Sequence, residues 1–179
     1  MTRYIAFLRA INVGGHNIKM AALRDHFSAL GLSHVETFIA SGNVIFTTDL
    51  TDGRALAAKI EAHLQQALGY EVATFLRTDA EVADIAQYTP FSEAMMQEAR
   101  AIYVAFLARP VAQADLEPFQ SDIDSFHAHQ NEVYWLCRHR QSDSKFSNAV
   151  FERALKIQST FRNINTVRRL AAKYPPAAS

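Results

Sequence analysis

Three stretches of this chain put cations, amides and glycines where a hydrophobic core has no need of them. The first is Arg9-Ala-Ile-Asn12-Val-Gly14-Gly15. Gly14 and Gly15 suit φ > 0 and present bare backbone N–H groups, and Asn12 can bond backbone or ligand. The stretch is either a small-anion cradle or a tightly pinned turn. The second, Ser41-Gly42-Asn43, is a turn by composition and gains a binding role only beside Arg9. The third comprises Ser144-Lys145 and Ser159-Thr-Phe-Arg162-Asn163-Ile-Asn165. Lys19, Lys145 and Arg162 each stand at the start of an expected helix. A cation there opposes the helix dipole at a cost of up to about 1 kcal/mol. Beside open N–H groups it would instead help bind phosphate or carboxylate. The competing reading points both lysines into water and uses Arg162 to tie loop carbonyls together across the two halves.

Other chemistries find less support. His127 and His129 share one face of an expected strand, but no third ligand stands at a diagnostic spacing. They read as exposed hairpin residues, and no metal site is expected. Cys137 reads as a buried, inert thiol. The chain has no Gly-x-Ser-x-Gly elbow, Walker loop or Gly-x-Gly-x-x-Gly fingerprint. No catalytic residue or cofactor can be named.

The elements that would position these residues follow from periodicity. Residues 4–8 form an apolar run, read as a strand buried on both faces. Met20, Leu23, Phe27 and Leu30 recur at helical spacing, ended by Gly31. Residues 35–39 and 44–48 are β-rich around Ala40-Ser41-Gly42-Asn43. Thr51 or Asp52 caps a helix carrying Leu56, Ile60 and Leu64, and residues 72–77 form a fourth strand. The order is β-α-β-β-α-β, a ferredoxin-like unit over residues 1–78. In that sheet the first and third strands are neighbours, which would bring Asn43 towards Arg9. A second α+β subdomain is expected over 79–179, ordered α-β-α-β-β-α-α and ending in two helices. A diverged copy of the first half is one reading of this order, although no repeat in the sequence proves duplication.

Composition sets the bounds. A chain of 179 residues, 49% hydrophobic, can bury its core without staples. Lys+Arg and Asp+Glu both number 18, so nothing favours wholesale attraction to nucleic acid or membrane. A single cysteine fits a reducing cytoplasm. Monomer or weak homodimer is expected.

Together Tyr4-Ile-Ala-Phe-Leu-Arg-Ala-Ile-Asn-Val-Gly-Gly-His-Asn, Met20-Ala-Ala-Leu-Arg and Ser41-Gly-Asn-Val-Ile-Phe resemble the N-terminal signature of the Domain of Unknown Function 1697 family. Ser144-Lys-Phe-Ser-Asn and Thr160-Phe-Arg-Asn-Ile-Asn-Thr-Val resemble its C-terminal signatures. Ala10, Phe146 and Ile164 depart from residues common in the family. The resemblance implies a bacterial-type cytoplasmic protein of two α+β subdomains and no particular activity. The family's polar positions map onto Arg9, Asn12, Gly14, Gly15, Ser41, Asn43, Ser144, Lys145, Arg162, Asn163 and Asn165. The functional expectation is a small phosphate- or carboxylate-bearing ligand held by these residues between the subdomains. The alternative is a structural or interaction module whose polar motifs form an interdomain clasp. Nucleic-acid binding stands third.

Overall fold

Two four-stranded antiparallel sheets organise the chain, one in each of two units. A computed structural model describes residues 1–39 and 42–178. The first unit takes Met1–Ala83 with Leu170–Ser179, and the second takes Asp84–Arg169.

In the first unit, β1 (Thr2–Leu8) lies between β3 (Asn43–Thr48) and β4 (Thr74–Thr78), with β2 (Ser33–Thr37) outside β3. The expected β-α-β-β-α-β order is borne out. α1 (Met20–Ala29) buries Leu23 and Phe27. α2 (Gly53–Leu68) buries Leu56, Ile60 and Leu64. Their i, i+4, i+8 spacing keeps them on one face, and burial of each is worth roughly 1.5–3 kcal/mol before side-chain entropy. The Asp52 carboxylate accepts from the N–H groups of Arg54 and Ala55, and Gly69 at φ 81° ends the helix in the left-handed region. The helices cover the Tyr4, Ala6, Leu8, Val44 and Phe46 face. Ile5 and Phe7, which point the other way, are 1% and 0% exposed, so β1 is buried on both sides.

The second unit repeats this plan. Its sheet runs β6 (Asp124–His129), β7 (Glu132–Cys137), β5 (Ala101–Leu107), β8 (Ser159–Asn163). The registers correspond pair by pair. Phe7 faces Asn43 and Leu8 faces Thr74 in one sheet; Phe106 faces Glu132 and Leu107 faces Ser159 in the other. The sequence does carry this repeat, as Tyr4-Ile-Ala-Phe-Leu8 and Tyr103-Val-Ala-Phe-Leu107. Polar details repeat too. Glu61 of α2 accepts from the N–H of Thr74 at 2.8 Å; Glu152 of α5 (Asn148–Leu155) accepts from that of Ser159 at 2.9 Å. Arg77 and Arg162 occupy matching places on β4 and β8. Each is 7% exposed and donates to the carbonyl of the residue before it. Two more helices, α3 (Asp79–Gln87) and α6 (Ile164–Lys173), follow the fourth strands, and the division between units falls inside each of them.

Several boundaries differ from the sequence reading. Ser159–Asn163 is a strand rather than a loop, because its N–H and C=O groups pair with β5 although its polar residues give no period-2 signal. α4 (Glu93–Glu98) was not expected; Ser92 caps it by accepting from Met95 N–H. α5 begins at Asn148 with Ser147 as its cap, so Lys145 precedes the helix rather than opening it. Residues Gln113–Phe119 form a 3₁₀ turn containing Pro118. His127 and His129 are half-buried, not exposed. The Tyr88 hydroxyl shares a hydrogen bond with His127 Nε2 at 3.0 Å, and its ring stacks on His129 at 3.8 Å. Tyr174 makes the matching contacts in the first unit, with Glu36 at 2.7 Å and Phe38 edge-on at 6.3 Å.

Candidate functional site

The polar residues singled out from the sequence fall into two groups, one in each unit. Arg9, Asn12, Gly14, Gly15 and Asn43 gather at one end of the first unit's sheet. Arg9 donates its N–H to Ala73 O at 2.9 Å, which fixes the end of β1 against the start of β4. The chain then leaves the sheet in an exposed loop. Asn12 Oδ1 accepts from Ile18 N–H at 2.7 Å and closes that loop. Tyr70 donates to Ile11 O at 2.9 Å, and His16 stacks on the Tyr70 ring at 3.7 Å. Gly14 and Gly15, at φ 68° and 87°, sit in open space at its tip. Asn43 is fully buried and donates Nδ2–H to Phe38 O at 3.0 Å. Gly42 is required by contact as well as by φ 79°. A Cβ there would stand 2.7 Å from Ile11 Cγ2. Ser41 lies outside the described residues.

In the second unit Ser144 donates to Asp124 Oδ2 at 2.6 Å and accepts from Phe146 N–H at 2.9 Å. Trp135 Nε1–H donates to Asp124 Oδ1 at 2.8 Å. Asp124 is therefore a buried carboxylate held by two neutral donors, and no Lys or Arg among the described residues forms an ion pair with it. Arg162 lies on β8 and donates to Thr160 Oγ1 at 2.7 Å as well as to Phe161 O. Burial lowers its pKa to about 10, so it stays charged at neutral pH. Asn163 Oδ1 accepts from Asn165 N–H at 2.9 Å, a cap on α6.

Around Asp124 the fold leaves a space. The first unit covers its sheet with two long helices; the second has only α5 and the 3₁₀ turn over the same face. An aromatic cluster fills much of the difference. Phe146 stands 4.7 Å from both Phe126 and Trp135, and Phe119 stands 5.7 Å from Phe146 and from Phe151. Beside this cluster lies a cavity of about 520 Å³. Phe119, Ile123, Phe146 and Val150 form apolar wall, while Lys145, Asp122 and Asp143 are exposed on its rim. This is within the usual size of small-molecule pockets.

Lys145 is the expected ligand-binding residue that lines this cavity together with Asp122 and Asp124; Arg162 does not line it. Arg9 belongs to the other unit. The sequence reading passed over Asp122 and Asp124. Their signal was present in Ser121-Asp-Ile-Asp124, two acids flanking an apolar residue just after Pro118-Phe119. Among the described residues no group of three or more His, Cys, Asp or Glu could hold a metal ion. No helix among them is long and apolar enough to cross a membrane.

The model of a family described as "Protein of unknown function (DUF1697)" matches residues 1–134. A solved structure, that of conserved bacterial protein SP0830 from Streptococcus pneumoniae, is similar with a TM-score of 0.77. It shares 23% identity over 98% of this chain and 99% of its own, a likeness of fold. No curated protein matches. The N-terminal motifs that build the Arg9 loop and the Gly42–Asn43 turn lie inside the matched stretch, and on that match the chain belongs to the DUF1697 family.

Proposed function

We propose that this is a cytoplasmic protein that binds a small molecule in the cavity of its second unit. The ligand has an apolar or aromatic body and charged groups of both signs. The observation that carries this is the cavity itself, with aromatic wall on one side and Lys145, Asp122 and Asp143 on its rim. The body packs on Phe119 and Phe146. A carboxylate or phosphate faces Lys145 Nζ. A cationic amine faces Asp122 and Asp143. A purely anionic ligand would meet more carboxylates than ammonium groups at this rim. The lone, buried Cys137 supports a reducing compartment.

The test is thermal denaturation across a panel of zwitterionic, anionic and cationic compounds sharing one aromatic body. Zwitterions should raise the melting temperature most. Lys145→Ala should abolish the gain from the acid group while leaving the protein folded. Equal shifts across the panel, or none, would reject the reading.

A second reading makes the polar motifs purely structural, each holding its own unit together. Asn12, Asn43, Ser144 and Asn163 all form hydrogen bonds within their units, which favours it. On that reading no compound stabilises the protein, and Ser144→Ala destabilises it without affecting any ligand.

A further inference from the structure

We propose that His26 and His63 form a two-imidazole site for a borderline transition-metal ion such as Zn²⁺, Ni²⁺ or Cu²⁺. His26 lies near the end of α1 and His63 lies on α2, both half-buried in the first unit. His26 Nδ1 stands 3.3 Å from His63 Nε2. The ring centroids are 5.3 Å apart and the planes meet at 64°, edge to face rather than stacked. Two nitrogens bonded to one ion at about 2.0–2.1 Å, with angles between octahedral and tetrahedral, must lie about 2.9–3.4 Å apart. The observed separation falls in that window. It is also a hydrogen-bonding distance, so in the metal-free chain one ring donates to the other. No carboxylate among the described residues pairs with either ring, so no ion pair accounts for their approach. Lys59, one turn before His63, donates Nζ–H to Leu30 O at 3.4 Å.

The ion would have two protein ligands, since no third His, Cys, Asp or Glu completes a cluster among the described residues. Water or a small donor fills its other positions. Imidazole nitrogen suits zinc, copper and nickel rather than magnesium. Binding needs a lone pair on both facing nitrogens. In the neutral pair one of them carries a proton; that proton leaves to water as another is taken up on the far nitrogen of the same ring. No net proton is released. The bound ion links α1 to α2 and stabilises the first unit.

The experiment is thermal denaturation of the full chain without a histidine tag, with Zn²⁺, Ni²⁺, Cu²⁺ or Mg²⁺ and then excess EDTA. The expected result is a rise of several degrees with the first three, none with Mg²⁺, and reversal by EDTA. His26→Ala and His63→Ala should each abolish the rise, while His129→Ala should keep it. Should either variant fail to fold, imidazole NMR of the unmodified chain decides instead: Zn²⁺ should move the ring signals of His26 and His63 alone. No rise, a rise that survives both substitutions, or ring shifts confined to other histidines would overturn the proposal.

Discussion

The two units solve one packing problem with different amounts of helix. Each has a central strand ending in Ala-Phe-Leu, flanked by partners in matching register. The first covers one sheet face with helices of 10 and 16 residues; the second uses a helix of 8 and a 3₁₀ turn of 7. Fewer residues over the same sheet must be offset by larger side chains. Phe46 and Leu76 in the first unit correspond to Trp135 and Phe161 in the second, and Phe119, Phe146 and Phe151 gather around the latter. The replacement is incomplete, and the cavity lies where it stops. A shared strand plan thus gives one unit a two-helix cover and the other an open, partly charged recess.

The cover also governs the sheet edge. In the second unit Gln113 and Gln120, at the two ends of the 3₁₀ turn, bond the backbone of β6. The Gln120 amide oxygen accepts from Phe126 N–H at 2.9 Å, and that of Gln113 accepts from Ala128 N–H at 2.8 Å. These amides stand in for a fifth strand and block the edge from other chains.

The comparison can be broken most severely at its non-equivalent points. Gly42→Ala should cost roughly 3 kcal/mol, combining left-handed backbone strain of about 1–2 kcal/mol with forced repacking around Ile11. Asn131→Ala, at the matching place beside Leu107, should cost clearly less. Urea denaturation of both variants measures the difference. Asp124→Ala should cost about 2–4 kcal/mol, since it leaves the Trp135 indole N–H and the Ser144 hydroxyl without an acceptor; near-UV circular dichroism should report a disturbed Trp135. Glu61→Gln and Glu152→Gln probe an equivalence. Each weakens a charge-assisted bond to the first N–H of a fourth strand, and each should cost about 1 kcal/mol. Strongly unequal losses would show that the repeat is geometric only.

The smallest effect is in pH. Burial, helped by the charge of His129, lowers the pKa of His127 below its usual 6.5. The unfolded chain therefore takes up a proton there before the folded chain does. The stability contributed by neutral His127 is complete above pH 6.5 and falls as pH drops from 6.5 towards the lowered folded value. His127→Gln should flatten the stability profile below pH 6.5.

Much of the fold was legible because period-2 and period-3.6 patterns are strong in the first unit. The continuous apolar run of β1 correctly implied burial on both faces. β8 was illegible for a physical reason. It is an edge strand held by backbone pairing to β5, and all its side chains but Phe161 are polar. The repeat itself was visible in Tyr4-Ile-Ala-Phe-Leu8 and Tyr103-Val-Ala-Phe-Leu107, but a five-residue match is short beside the divergence around it. The cavity was harder to read. It arises from what α5 and the 3₁₀ turn do not cover, and an absence of helix leaves no motif. Lys145 was found through its charge, whereas Asp124 was missed because a buried carboxylate reads in sequence like any other acid.

The most direct measurement is a ¹H–¹⁵N correlation spectrum of the ¹⁵N-labelled chain, titrated with a zwitterionic aromatic compound that stabilises it. The account predicts shifts concentrated in residues 119–124 and 143–150, the cavity wall, and their loss in Lys145→Ala. Shifts confined to the Gly14–Gly15 loop, or no compound that shifts any amide, would contradict it.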